Sequence, residues 1–201
     1  MKALLKSISY IFHPLLMPFL GVVFYFSISP RFIPLPIIKA KLFSLALLTI
    51  LLPILLFLLL RTLGKINTIH LATTKERILP LLINCVIVFV IIKRIFPNNE
   101  IAELYYFFVG VLLSTLTCLI SAILNLKVSI HMIASAGVFM FFIALSIHFN
   151  INVNGSIALF TIAIGAIATS RLHLNAHTNI ELILGFFVGL IPQIILLNYW
   201  L

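Results

Sequence analysis

The segment 41–61 carries charge only at its two ends, Lys41 and Arg61, and between them Ser44 and Thr49 are the only hydroxyl side chains in an otherwise apolar run. A helix needs about 20 such residues to cross a hydrocarbon layer, where no water is present to satisfy backbone N–H and C=O groups. Comparable runs recur near 8–28, 78–96, 104–124, 128–149, 155–170 and 180–200. Membrane-spanning strands would show alternation over segments of about ten residues, whereas these runs are continuous. The predicted fold class is an all-α integral membrane protein, a bundle of six to seven transmembrane helices forming one domain over residues 1–201. The run at 8–28 decides the count, because His13-Pro14 and Pro18 break a helix or bend it back. No small-residue cleavage site follows that run, which argues against a signal peptide.

Composition agrees. With 63% hydrophobic and 8% charged residues, the chain has too few polar side chains to cover a water-facing surface. A net charge of +9 would suggest nucleic acid in a soluble protein. Here the basic residues fall mainly between the apolar runs, where they meet lipid headgroups, so the expected partner is the membrane and not nucleic acid. Cys85 and Cys118 lie inside apolar runs without CxxC spacing and read as small core residues.

Ionisable groups in so apolar a chain are costly and mark function. Three clusters stand out: Thr73-Thr74-Lys75-Glu76-Arg77 up to Pro80, Lys127-Val128-Ser129-Ile130-His131, and Ser170-Arg171 through His173 and His177 to Glu181. Successive clusters are separated by two crossings, which predicts that all three share one membrane face. Arginine offers a planar fork matched to phosphate oxygens, and lysine a point charge. Histidine serves as nucleophile or proton donor near neutral pH. This inventory suits a phosphate ester. The chain contains no aspartate and four glutamates, Glu76, Glu100, Glu103 and Glu181, too few carboxylates for magnesium-dependent diphosphate chemistry. No metal and no cofactor are expected. His173 and His177 at i, i+4 spacing lack the HExxH context of a zinc site.

The third cluster reads Ser-Arg-x5-His-x3-Glu, and with the other two it resembles the type 2 phosphatidic acid phosphatase family. That family carries Lys-x6-Arg-Pro, Pro-Ser-Gly-His and Ser-Arg-x5-His-x3-Asp motifs, in that order, on one face of a helical bundle. Ser170, Arg171 and His177 match the third motif, with Glu181 in place of Asp. Ser129 and His131 match the second, with Val128 for Pro and Ile130 for Gly. Lys75, Arg77 and Pro80 share the composition of the first but not its spacing. The likeness spans residues 65–195 in architecture and about a dozen positions in motif.

The resemblance implies metal-independent hydrolysis of a lipid phosphate or diphosphate through a phosphohistidine. His177 would be the nucleophile, Glu181 its orienting acid, and His131 the proton donor to the leaving oxygen. Lys75, Arg77, Ser129, Ser170 and Arg171 would bind phosphate. The alternative is a non-catalytic, degenerate membrane subunit or lipid-binding scaffold that keeps the fold, with Ile130 and Glu181 recording lost chemistry.

Residue by residue, other roles exist. Lys75 and Arg77 can anchor a helix at headgroups, Ser129 can cap a helix, Arg171 can snorkel, and Glu181 can complement a helix dipole. His13, His70 and His148 read as structural. An abundance of Ile, Lys, Asn and Phe suggests an AT-rich bacterial genome and hence a bacterial inner membrane. Eight basic residues lie on the cluster side and five on the other, which reduces to five against five once three candidate phosphate ligands are set aside. Charge therefore does not assign sidedness, and the resemblance implies a periplasmic active face.

Overall fold

The computed structural model describes residues 2–64 and 73–201, with the side chains of 2–4 excepted. These residues form helices and connections without strands: α1 (Lys2–Ile11), α2 (Met17–Ile28), α3 (Leu35–Ala46), a π-helical turn (Leu47–Leu51), α4 (Leu52–Thr62), α5 (Thr74–Arg94), α6 (Ala102–Ile123), α7 (Ile130–Phe149), α8 (Asn154–His173) and α9 (Asn179–Leu197). Helices α3 and α4 are one rod, Leu35–Thr62, and the π turn sits where Pro53 removes an N–H and crowds the carbonyl four residues earlier.

Among the described residues, five helices are long and apolar enough to cross a membrane: Leu35–Thr62, α6, α7, α8 and α9. Their outward faces carry large apolar side chains such as Phe43, Leu55, Ile120, Leu159 and Ile195 in exposed positions, an arrangement that fits a multi-pass membrane protein. Helix α5 has the length of a span but begins with Lys75, Glu76 and Arg77 and ends with Lys93 and Arg94. The apolar run expected at 8–28 is instead two short helices, α1 and α2, separated at residues 12–16. Within that break Leu15 N–H donates to His13 Nδ1 and Leu16 N–H to the His13 carbonyl, so His13 and Pro14 stop the first helix, and the second opens with Pro18 near its start.

Helix association in lipid relies on close packing more than on the hydrophobic effect, and small residues permit it. Gly185 and Gly189 of α9 do this against α7. A Cβ at Gly189 would lie 2.1 Å from the Ile133 carbonyl oxygen, and one at Gly185 would lie 2.7 Å from that of Ser129. A second close approach joins α6 to α9, where Gln193 donates to the Phe107 carbonyl beside Gly110. The aromatic core lies among Tyr25, Phe96, Phe107, Phe108 and Phe141, all buried.

Among the described residues, three helices (α6, α7 and α8) are followed within two residues by an asparagine with left-handed backbone, Asn125, Asn150 and Asn175. Each closes its helix with a Schellman pair of bonds, for instance Ala176 N–H to Arg171 O and Asn175 N–H to Leu172 O. At one end of the bundle the turns at Asn125 and Asn175 bring the starts of α5, α7 and α9 together with the end of α8. At the other end a buried Glu103 accepts from Arg31 (2.6 Å), His148 (3.1 Å) and Tyr25 (3.5 Å), tying α2, α6 and α7 together.

Candidate functional site

The spacing of Ser-Arg-x5-His-x3-Glu follows from two pieces of local structure. Ser170 and Arg171 lie in the last turn of α8, and the Schellman turn at 174–176 brings the chain back past them. His177 follows at once. Thr178 then caps α9, its hydroxyl accepting from Glu181 N–H at 3.3 Å, as in a Thr-x-x-Glu capping box. That box turns the Glu181 side chain back toward the helix start. Its carboxylate Oε2 lies 2.5 Å from His177 Nδ1.

A carboxylate oxygen here accepts, so Nδ1 of His177 bears the hydrogen and the lone pair is left on Nε2. His177 is buried. Burial holds its pKa below the ordinary histidine value; the Glu181 hydrogen bond opposes this, and the Arg77 and Arg171 guanidiniums add to it. The imidazole at neutral pH is therefore a free base with one nitrogen available.

Around it stand the other clusters. Arg77, in the first turn of α5, is 5% exposed, and its Nη1 donates to the Val128 carbonyl at 2.9 Å. Ser129 N–H donates to the Glu181 carbonyl at 3.1 Å, which joins the start of α7 to the first turn of α9. Arg171 lies within electrostatic range of Arg77, His131, His177 and His13. Two polar atoms among these groups, Ser129 Oγ and Arg171 Nε, are buried and have no hydrogen-bond partner among the described residues. Ser129 occupies the N-cap position of α7, yet its hydroxyl makes no capping bond. A buried donor left unmatched is costly unless a ligand completes it.

The remaining candidates are placed differently. Lys75 is exposed, whereas Arg77 beside it is buried. Ser170 is fully buried, and its hydroxyl bonds the Leu5 carbonyl (2.6 Å) and Ser9 Oγ (2.8 Å) of α1. His131 Nε2 lies 3.3 Å from the Ser9 carbonyl, which can only accept, so Nε2 carries hydrogen there. Ile130 packs with Ile78, Leu119 and Val188 on the apolar cluster of Leu81, Cys118 and Ile133. His173 is exposed on the outer side of α8, and His70 lies outside the described residues.

Three residues of this region carry no weight in the sequence motifs. Lys127 donates to the Ala176 carbonyl at 3.0 Å and so ties the turn before His177 to the start of α7. His13 meets His131 edge to face, ring centroids 5.7 Å apart. Ser9 bonds both motif residues described above. His13 had one visible signal, a histidine in an apolar run; the contacts of Ser9 and Lys127 join segments far apart in the chain and leave no local pattern.

An apolar groove of about 350 Å³ lies between α7, α8 and α9, lined by Met132, Ala168, Leu172, Leu182, Ile183 and Phe186 among others. Met132, Leu172 and Leu182 are the chain neighbours of His131, Arg171 and Glu181. Chemically, the region combines a neutral nucleophilic nitrogen, two guanidiniums, a buried hydroxyl and an apolar channel beside them. Comparison of the chain with protein-family models, curated proteins and solved structures gives no match.

Proposed function

We propose that this protein hydrolyses a lipid phosphate or diphosphate without a metal, in the manner of the type 2 phosphatidic acid phosphatases that its motifs resemble. The observation that carries this reading is the buried His177 paired with Glu181 beside Arg77 and Arg171, with Ser129 Oγ and Arg171 Nε unmatched among the described residues. Preorganised donors of this kind stabilise charge on a phosphoryl group without reorganisation during the reaction.

In this mechanism His177 Nε2 attacks phosphorus, the bond to the leaving oxygen breaks, and that oxygen takes its electron pair together with a proton from His131. Water then attacks the phosphohistidine, giving its proton back to His131, and the N–P bond breaks to release phosphate. Glu181 holds the His177 tautomer and offsets positive charge that develops on the ring. Arg77 and Arg171 bind the phosphate oxygens, and Ser129 donates to them. The apolar groove accepts the lipid chain. Ile130 lies in an apolar cluster, an observation that favours retained chemistry despite the missing glycine.

The same reading takes the chain to be a bacterial inner-membrane protein with six or seven crossings, α5 included, and a periplasmic site. The test is phosphate release by purified protein in detergent with EDTA present, from phosphatidate and from a prenyl diphosphate, comparing wild type with His177→Ala. Release that survives EDTA and is lost in the variant supports the proposal. A folded protein that binds phosphate and releases none points to the non-catalytic scaffold.

A further inference from the structure

Helix α1 packs on α8 and reaches two of the candidate site residues. Two of the donors that the phosphatase reading assigns to substrate or leaving group are engaged by α1 oxygens: Ser170 Oγ by the Leu5 carbonyl at 2.6 Å, and His131 Nε2 by the Ser9 carbonyl at 3.3 Å. Ser9 Oγ adds a bond to Ser170 Oγ at 2.8 Å. Helix α1 ends at Ile11, so Ser9 belongs to its last turn, where carbonyls lack helical partners and the helix dipole is negative. That negative end meets His131, whose ring packs on His13 and lies within electrostatic range of Arg171. Ile8 of the same helix, and Phe12 just past its end, pack against the cluster of Met132, Ile167 and Leu182.

We propose that α1 is an autoinhibitory strap: its carbonyl oxygens stand where phosphate oxygens would, and it must swing off α8 before a headgroup reaches His177. The break at His13-Pro14 is the hinge. Opening frees Ser170 Oγ and the His131 Nε2 hydrogen, which join Ser129 Oγ and Arg171 Nε to make four donors for one phosphate. This inference rests on the anion-binding reading of the site, and its test therefore measures binding separately from turnover.

The direct test is Ser9→Cys with Ser170→Cys, in a background with Cys85→Ala and Cys118→Ala. The two hydroxyls are close enough that the paired thiols should form a disulfide under mild oxidant. Thermal stabilisation by inorganic phosphate and phosphate release from phosphatidate are then read in the oxidised and reduced forms of one preparation. Expected is an intramolecular cross-link, loss of phosphate stabilisation when it forms, at least a tenfold fall in release, and recovery of both with reductant. In a second variant, Ser9→Ala, losing one strap bond should raise apparent phosphate affinity by roughly two- to tenfold, the equilibrium worth of a hydrogen bond. A merely structural α1 would give a decrease. Failure to cross-link, or cross-linked protein that binds phosphate as the reduced form does, overturns the strap. If phosphate stabilises neither form of the variant nor the wild type, the anion site and the strap fail together. If phosphate binding responds to the cross-link but no release occurs in either form, the strap stands and the hydrolase reading falls.

Discussion

His177 Nδ1 and Glu181 Oε2 lie 2.5 Å apart across the N-cap of α9, so a capping box that would start any helix also orients an imidazole. The glutamate occupies the third helical position, and its extra methylene relative to aspartate spans the distance back to the residue before the cap. Replacing it separates orientation from capping. Glu181→Gln keeps size and helix start but removes the carboxylate, and a 10²- to 10⁴-fold fall in kcat is expected, the usual span for acid–base assistance. Helix content measured by circular dichroism should not change.

The same pair sets a pH dependence. Burial lowers the His177 pKa, and the reactive form is the neutral ring. Activity should thus persist through neutral pH and fall only below about 6.5, the ordinary histidine value. Because the Glu181 bond raises the pKa, the residual activity of Glu181→Gln should show its acidic limb at still lower pH. The unfolded chain binds this proton more readily than the folded one, so stability should also decline as pH drops below about 6.5. An acidic limb above that value would contradict the burial argument.

Ser129→Ala should have opposite effects on stability and on binding. Removing a buried hydroxyl that has no partner is expected to stabilise the ligand-free protein by roughly 1 kcal/mol. It also removes a phosphate donor, so stabilisation by added phosphate should weaken about tenfold in apparent affinity. A thermal melt of both proteins with and without phosphate reads the two effects together. Destabilisation without any change in phosphate response would mean that Ser129 is a packing residue.

Gly189→Ala tests the α7–α9 contact. A Cβ cannot sit 2.1 Å from the Ile133 carbonyl oxygen, so the helices must separate, at a cost of about 1–3 kcal/mol. The start of α9 carries His177 and Glu181 against the start of α7, so activity should fall alongside the melting temperature. Gly165→Ala, which meets open space, is the control and should change neither.

At the far end of the bundle, Glu103→Ala leaves Arg31, His148 and Tyr25 without their shared acceptor. Arg31 is about half exposed and can return to water, so the loss expected is roughly 1–3 kcal/mol and not the full cost of a broken buried ion pair. The cluster lies away from His177. Phosphate affinity of the folded variant should therefore match wild type, as measured by titration in detergent.

The all-helical character and the polar clusters were legible in the chain because both depend on local information. Continuous apolar runs specify helices in lipid, where the backbone must satisfy itself, and the polar clusters stand out against that background. The Schellman turn at Asn175 and the capping box at Thr178 are likewise short-range devices, which is why the Arg-x5-His-x3-Glu string could point to a site. What the sequence alone left open depended on partners distant in the chain. Lys75 and Arg77 were equivalent as residues, and only packing of α5 against the start of α7 buries one and exposes the other. Ile130 stood as a departure from the glycine of the second motif, and only the tertiary structure places its side chain against the apolar cluster. Ser170 read as a phosphate ligand, yet its hydroxyl is bonded to α1, more than 160 residues earlier. Periodicity and motif spacing report which face or turn a residue occupies. They carry no information on which distant carbonyl will meet it, as the Leu5 carbonyl meets the Ser170 hydroxyl.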